Sequence, residues 1–348
     1  MSTELQEYDL IIINNCPAFY KINLYNEIAK KLKIHVIFLG FSKEVVIYDT
    51  YKDDIKFSYD LILDEKPIES RNKISTFFKI YRILKKKKTK KIIYGSYAYI
   101  EFLLISLLFP KRKNILQMES AREALKSGWK QILKKILLTR YSKAIVSGAI
   151  HKDVLRAMDF GGEIIISKGV GIIYKEPKIP QNKPIGDFSF LYVGRLIEIK
   201  NLKFLINVFN KSGKKLIIVG KGEQEKELKE MAKDNIVFLG FQNNKELKNI
   251  YSESRFFILP SSKEPWGLVV EEALYNNCVL LLSDMIGSNY ELLTEPKTGC
   301  IFDHKDENSL IRAIQNAEEN YAEYYENVLK FDIDQKDQEQ TEAYIKLM

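Results

Sequence analysis

The chain has 348 residues, 46% apolar and 29% charged, with a net charge of +8 from 54 basic and 46 acidic side chains. This length suits two domains of roughly 100–200 residues each, and this hydrophobicity excludes a disordered chain. Three scattered cysteines (Cys16, Cys278, Cys300) exclude a disulfide framework. The longest apolar run, Phe102 to Phe109, falls far short of the roughly 20 residues of a membrane span.

In chain order, the polar start MSTELQEYD does not read as a signal peptide, so the expectation is a cytoplasmic protein. YDLIIIN (8–14) predicts a buried strand and Tyr20 to Lys33 a helix. Strand-like IHVIFLG (34–40), KIIYGS (91–96), NILQM (114–118) and KAIVSG (143–148) follow. Ile74, Phe77, Phe78, Tyr81 and Leu84 recur at helical spacing, and the run KKKKTKK (85–91) is expected to end that helix. EPKIPQNKPIGD (176–187) holds three prolines and reads as a linker. Beyond it lie FSFLYVG (188–194), KLIIVG (215–220), NIVFLG (235–240), RFFILP (255–260) and CVLLLS (278–283), each followed by a helical pattern. Continuously apolar strands alternating with helices imply parallel sheets covered on both faces. The expected architecture is α/β, with two Rossmann-like doubly wound domains, 1–180 and 181–348, facing a central cleft. The tail 321–348 is expected to pack back on the first domain.

Charge is uneven. Residues 1–186 carry 34 basic and 19 acidic side chains, a local +15, and the remainder 20 and 27, a local −7. A stretch from Lys126 to Arg140 interleaves Trp129, Ile132, Leu133, Ile136 and Leu137 with cations, the pattern of a basic amphipathic helix. It reads either as a helix lying on an anionic membrane or as a core helix with a solvated face. No aromatic platform or reading motif supports nucleic acid as the partner.

Two segments carry chemistry. In FLYVGRLIEIKN (190–201) a strand ends at Gly194, Arg195 sits on the turn and Lys200 precedes a helix. Two cations at a strand-to-helix junction suit a diphosphate; alone, they read equally as solvated surface charges. In SSKEPWGLVVEEALYNN (261–277), Gly267 opens a helix, with Glu264 before it and Glu272 within it. The free amides of Gly267, Leu268 and Val269 form an anion site, and the two carboxylates suit polyol hydroxyls. The alternative is a pair of capping carboxylates. Glu271, about 100° around the helix from Glu272, is expected to be solvated.

Taken together, GR-x4-K followed about seventy residues later by E-x7-E resembles the retaining glycosyltransferases of family 4, the group 1 glycosyl transferases of GT-B architecture. LIIVGKGE (216–223), IVFLGFQNNKELKNIYSESRFFILPS (236–261) and SDMIGSNYELLTEPKTGCIF (283–302) extend the resemblance over about 187–302. It implies that the second domain binds a nucleotide-diphosphate sugar, a UDP- or GDP-sugar, as donor. Arg195 and Lys200 would neutralise the diphosphate, aided by the amides of Gly267, Leu268 and Val269. Glu272 would take the ribose hydroxyls and Glu264 would face the donor sugar, with Gly240 to Gln242 flanking the base. The acceptor, a glycan or lipid-linked glycan of surface polysaccharide assembly, would dock on the first domain at the cytoplasmic membrane face. No cofactor and no metal are expected.

The first domain departs from the family pattern. Its opening loop is NNCPAFYKIN (14–23) rather than glycine-rich, and no histidine sits in the motif that many relatives place near the donor sugar. His35 reads as core, His304 lies in an acidic loop, and His151 is a candidate only by its place at a helix start. QMESARE (117–123) makes Glu119 an acceptor-side candidate. VGKGEQE (219–225) lacks the third glycine and following acid of a dinucleotide fingerprint, and Asp332 with Asp334 lies outside any strand-loop context. An inverting transferase, a sugar-phosphate synthase and a silent nucleotide-sugar-binding subunit stay open as alternatives.

Overall fold

The structure, a computed structural model, describes residues 5–42, 51–64, 67–119, 135–177 and 189–348. The chain forms two compact units, Met1–Ile173 with Lys336–Met348 and Tyr174–Gln335.

The first unit is built on a seven-stranded parallel sheet: β1 (Gln6–Asn14), β2 (Ile34–Phe38), β3 (Ser58–Leu61), β4 (Lys87–Tyr94), β5 (Asn114–Met118), β6 (Lys143–Val146) and β7 (Glu163–Ile166). Its order is β3-β2-β1-β4-β5-β6-β7. The isoleucine run of β1 explains why the sheet is covered twice. Ile11 and Ile13 pack with Ile37, Ile92 and Phe102 on one face, whereas Leu10 and Ile12 pack with Val36, Ile93 and Ile115 on the other. Successive strand residues point to opposite faces, so an uninterrupted apolar strand needs helices on both. Helices α1 (Phe19–Ala29), α2 (Tyr51–Asp54), α3 (Lys73–Lys85), α4 (Ile100–Ser106) and α5 (Ala149–Ala157) accompany the sheet.

The second unit repeats the plan with six parallel strands: β8 (Phe190–Val193), β9 (Leu216–Val219), β10 (Ile236–Gly240), β11 (Phe256–Leu259), β12 (Val279–Ser283) and β13 (Gly299–Phe302). Their order is β10-β9-β8-β11-β12-β13. Its helices are α6 (Leu202–Ser212), α7 (Glu225–Met231), α8 (Asn244–Glu253), α9 (Leu268–Tyr275), α10 (Glu307–Glu319) and α11 (Tyr321–Lys330). In both sheets the chain starts in the middle, runs to one edge, then returns to build the other. The reversal falls between β1 and β4 in the first unit and between β8 and β11 in the second. Loops leaving the carboxyl ends of such a strand pair diverge and leave a crevice, the usual ligand position in an open α/β sheet.

The structure corrects several expectations. The lysine run ends a helix only at its start: Lys85 closes α3 and Lys86 is its C-cap, whereas Lys87 to Lys91 open β4. Lys88 reaches Glu7 at 3.3 Å and Lys90 reaches Asp9 at 2.7 Å, so neighbouring strands neutralise part of the run. The tail divides. α11 stays with the second unit, whereas Ala343, Tyr344 and Leu347, at the end of α12 (Ile333–Ile345) and beyond it, join the first unit's core beside Leu24, Tyr25 and Ile28. Asp332 accepts the backbone N–H groups of Asp334 and Gln335, each at 2.9 Å, and so caps that helix. His35 lies within β2, 2.9 Å from Asp60, and burial holds its pKa down to about 4. His151 is buried on α5. Most of the 176–187 linker and the core of the basic stretch around Trp129 lie outside the described residues. No described helix is long and apolar enough to cross a membrane.

Candidate functional site

The residues singled out in the second unit gather at its switch point. Arg195 and Lys200 ride on the loop leaving β8, and Glu264 and Gly267 on the loop leaving β11. The two loops are joined: Lys200 Nζ forms an ion pair with Glu264 Oε2, and their side chains are only 12% and 14% exposed. A shielded pair keeps more of its Coulomb attraction than an exposed one and fixes both side chains in place. Arg195 beside it is exposed.

The backbone beneath explains how the loop holds its shape. Tyr192, fully buried at the end of β8, donates its hydroxyl to the Arg195 carbonyl at 2.9 Å. A Cβ on Gly194 would stand 2.7 Å from that hydroxyl, so the glycine makes the contact possible. Burial, then the Glu264 charge, push the Tyr192 hydroxyl well above its ordinary value, and Arg195 opposes them. The Gly220–Gly222 pair, discounted as a dinucleotide motif, proves structural. Added Cβ atoms would lie 1.9 Å from the Gly194 carbonyl and 2.2 Å from the Leu196 carbonyl. Leu196 N–H donates to Lys221 O at 2.9 Å, strapping the β9 loop against the β8 loop.

Asn201 closes the same loop in the left-handed conformation (φ 57°) that asparagine tolerates better than most residues. Its Nδ2 donates to Pro260 O at 3.2 Å and to His304 O at 2.9 Å, tying the Lys200 turn to the loops after β11 and β13. His304 is held in turn by Asp284, with Nδ1 to Oδ1 at 2.8 Å. With Asp303 these two offer ligand atoms within 4.8 Å of one another, the one such His/Cys/Asp/Glu group among the described residues. Their contacts brace a loop: the Asp303 carboxylate already accepts the Lys305 N–H at 2.8 Å.

Glu264 is positioned from both sides. Its N–H donates to Met285 O at 3.3 Å, and its carbonyl accepts Gly287 N–H at 2.9 Å. Gly267 follows at φ +90°, a left-handed position where a Cβ would press at 3.2 Å on both Glu264 Cγ and Val270 Cγ2. This tight turn starts α9. No side chain caps the helix, and the Leu268 and Val269 amides have no hydrogen-bond partner among the described residues. They point from the positive end of the helix dipole. Trp266 anchors the turn. It is 2% exposed, donates Nε1–H to Glu271 at 2.6 Å, and its carbonyl accepts the Ser288 hydroxyl at 2.7 Å.

Glu271 is therefore buried and holds the indole, against the expectation that it would be solvated. Glu272 is half-buried, and Tyr251 of α8 donates its hydroxyl to it at 3.3 Å. Burial pushes its carboxyl up to about 7; the Glu271 charge adds to the rise and the Tyr251 hydrogen bond opposes it. The ion pair of Lys200 and Glu264 and the carboxyl of Glu272 thus lie on opposite sides of the α9 start in sequence, with no hydrogen bond or ion pair between them among the described residues. On the first unit, Glu119 follows β5 and pairs with the buried Lys21 of α1, while Gln117 donates to the same carboxylate.

The paired doubly wound parallel sheets define a GT-B fold, and solved structures of that class superpose over nearly the whole chain. The lipopolysaccharide outer core galactosyltransferase WaaB, at 12% identity and TM-score 0.74, covers 98% of this chain and 100% of its own. The Anabaena protein HepE, in a complex with UDP and glucose, matches at 15% identity and TM-score 0.68, covering 97% of this chain and 99% of its own. The description of the glycosyl transferases group 1 family matches residues 175–331, nearly the whole of the second unit. An uncharacterised glycosyltransferase of Methanocaldococcus jannaschii is 27% identical over 176 residues, 46% of this chain and 45% of the relative. O-antigen chain mannosyltransferase C of Escherichia coli is 29% identical over 153 residues, 41% of each chain. The matched stretch thus spans less than half the length of these curated relatives.

Proposed function

We propose that the protein is a glycosyltransferase that moves a sugar from a nucleotide-diphosphate donor to a glycan or lipid-linked glycan in surface polysaccharide assembly. The single observation that carries this reading is the convergence, at the switch point of the second sheet, of Arg195, Lys200, Glu264 and the open N-terminus of α9. The relative from Escherichia coli, named as an O-antigen chain mannosyltransferase, supports the class of acceptor. A UDP- or GDP-sugar is the proposed donor, and the HepE complex with UDP favours the first.

In this reading the distal phosphate sits on the Gly267, Leu268 and Val269 amides, and Lys200 and Arg195 face the diphosphate. Glu264 already holds Lys200, so the cation is aimed before the charge develops. The bond from the anomeric carbon to the phosphate oxygen breaks as negative charge grows on that oxygen. The acceptor hydroxyl bonds to the same face of the sugar, and its proton passes to the departing phosphate oxygen. Glu264 orients the donor hydroxyls and stabilises the oxocarbenium-like state, so configuration is retained. Glu272 accepts the ribose hydroxyls. Lys200, Arg195 and the helix terminus supply the positive charge that a metal ion would otherwise bring, so the reaction is metal-independent.

Thermal unfolding with a panel of nucleoside diphosphates, with and without EDTA, tests the site. A Tm rise with UDP or GDP that persists in EDTA is the expected outcome. The absence of any nucleotide effect contradicts the assignment, and a rise that needs magnesium or manganese contradicts metal independence.

A further inference from the structure

The sequence points to an anionic membrane through the +15 balance of residues 1–186, the lysine run and the stretch around Trp129. The core of that last stretch lies outside the described residues. Lys87, Lys88 and Lys90 of the run are within ion-pair distance of Asp60, Glu7 and Asp9. The first unit instead presents two neighbouring helices with bare apolar outer faces. On α3, Ile74 and Phe78 are 72% and 51% exposed, one helical turn apart. On α4 and the turn that ends it, Leu104, Leu107 and Leu108 are 43%, 44% and 51% exposed. Helices α3 and α4 pack against each other and seal the same face of the sheet, through Ile80 and Leu84 on one and Phe102, Leu103 and Ile105 on the other. Their outer faces therefore look the same way.

Charge along the stretch that carries these helices is nearly all of one sign. From Arg71 to Lys113 the chain carries 13 Lys and Arg and a single acid, Glu101. That acid is buried and held by Arg71 at 2.7 Å. Lys111 and Arg112 follow the Leu107–Leu108 pair after Phe109 and Pro110, and Lys73, Arg82 and Lys85 flank Ile74 and Phe78. None of these five has a carboxylate partner among the described residues. Apolar side chains bordered by unpaired cations match an anionic bilayer, where the chains enter the acyl boundary and the cations meet headgroups. A nucleic acid would gain little from five exposed aliphatic and phenyl groups.

We propose that the outer faces of α3 and α4 form the surface by which the protein docks on an anionic membrane. The proposal rests on the lipid-linked acceptor reading above, and names where the enzyme would meet the lipid. The test is sedimentation of the full chain with phosphatidylcholine vesicles, with and without 30% phosphatidylglycerol. Wild type and a Phe78→Ser, Leu107→Ser, Leu108→Ser variant are compared, after circular dichroism and a cooperative thermal transition have shown the variant folded. Expected are at least about tenfold stronger binding of wild type to the anionic vesicles and at least about a tenfold loss in the variant. A Lys88→Ala, Lys90→Ala control is expected to bind within about twofold of wild type.

No sedimentation of wild type with either vesicle overturns the membrane reading as a whole. Sedimentation of wild type and variant alike overturns this surface alone. A wild-type dimer that the three serines dissociate assigns the face to a second copy, and also overturns the proposal. None of these outcomes bears on donor turnover, which tests the transferase reading separately.

Discussion

Arg195 and Lys200 are the residues whose loss is most telling. Removing one donor of positive charge from a developing anion costs about 2.7–4 kcal/mol, so Arg195→Ala and Lys200→Ala should each cut turnover at least about a hundredfold. Steady-state rates with the accepted donor check this, and wild-type rates in both variants would contradict the diphosphate assignment. Glu272 makes a second prediction through its carboxyl, which folding raises from 4.5 to about 7. The folded state then binds a proton that the unfolded state releases between those values. Its contribution to stability is complete below about 4.5 and lost as pH rises through 7. Melting scans should show wild type losing stability across that window, and Glu272→Gln should flatten the loss. Ribose hydroxyls favour the ionised acceptor, so UDP should bind more tightly above pH 7 than below it. These residues were legible because each stands in a short local motif. Tyr192, Asn201 and the pairing of His304 with Asp284 were not, since their partners arrive from other loops. A helical wheel separated Glu271 from Glu272 correctly but could not tell that Trp266 would cover the former.

At the scale of elements, the start of α9 depends on one backbone conformation. Gly267→Ala would place a Cβ at φ +90° and 3.2 Å from Glu264 Cγ. The left-handed conformation alone costs a non-glycine residue about 1–2 kcal/mol. The expected result is a lower Tm and weaker UDP binding, read by thermal unfolding and calorimetry; unchanged nucleotide affinity would remove α9 from the phosphate site. The strands show why most of the fold could be read beforehand. Long apolar runs such as those of β1, β2 and β12 announce themselves. β3, β7 and β13 are four-residue strands, and all three lie at sheet edges. Each offers at most three consecutive apolar residues, too short a run to mark a strand by itself. The lysines of β4 misled because periodicity favours a helix end wherever cations gather, and only pairing with β1 reveals a strand.

Across the whole molecule, the two units carry the same doubly wound plan with different chemistry at their switch points. The second gathers Arg195, Lys200 and Glu264, whereas the first has Glu119 paired to a buried Lys21 near its carboxyl ends. Uneven charge, visible in the sequence, separates into neutralised strand lysines and the unpaired cations around α3 and α4. The central claim is front-face transfer directed from the switch point of the second sheet. Proton NMR of the first-formed product, compared with the anomeric configuration of the accepted donor, tests it most directly. The account predicts the same configuration in donor and product, with turnover largely lost in Glu264→Gln; an inverted product would contradict it.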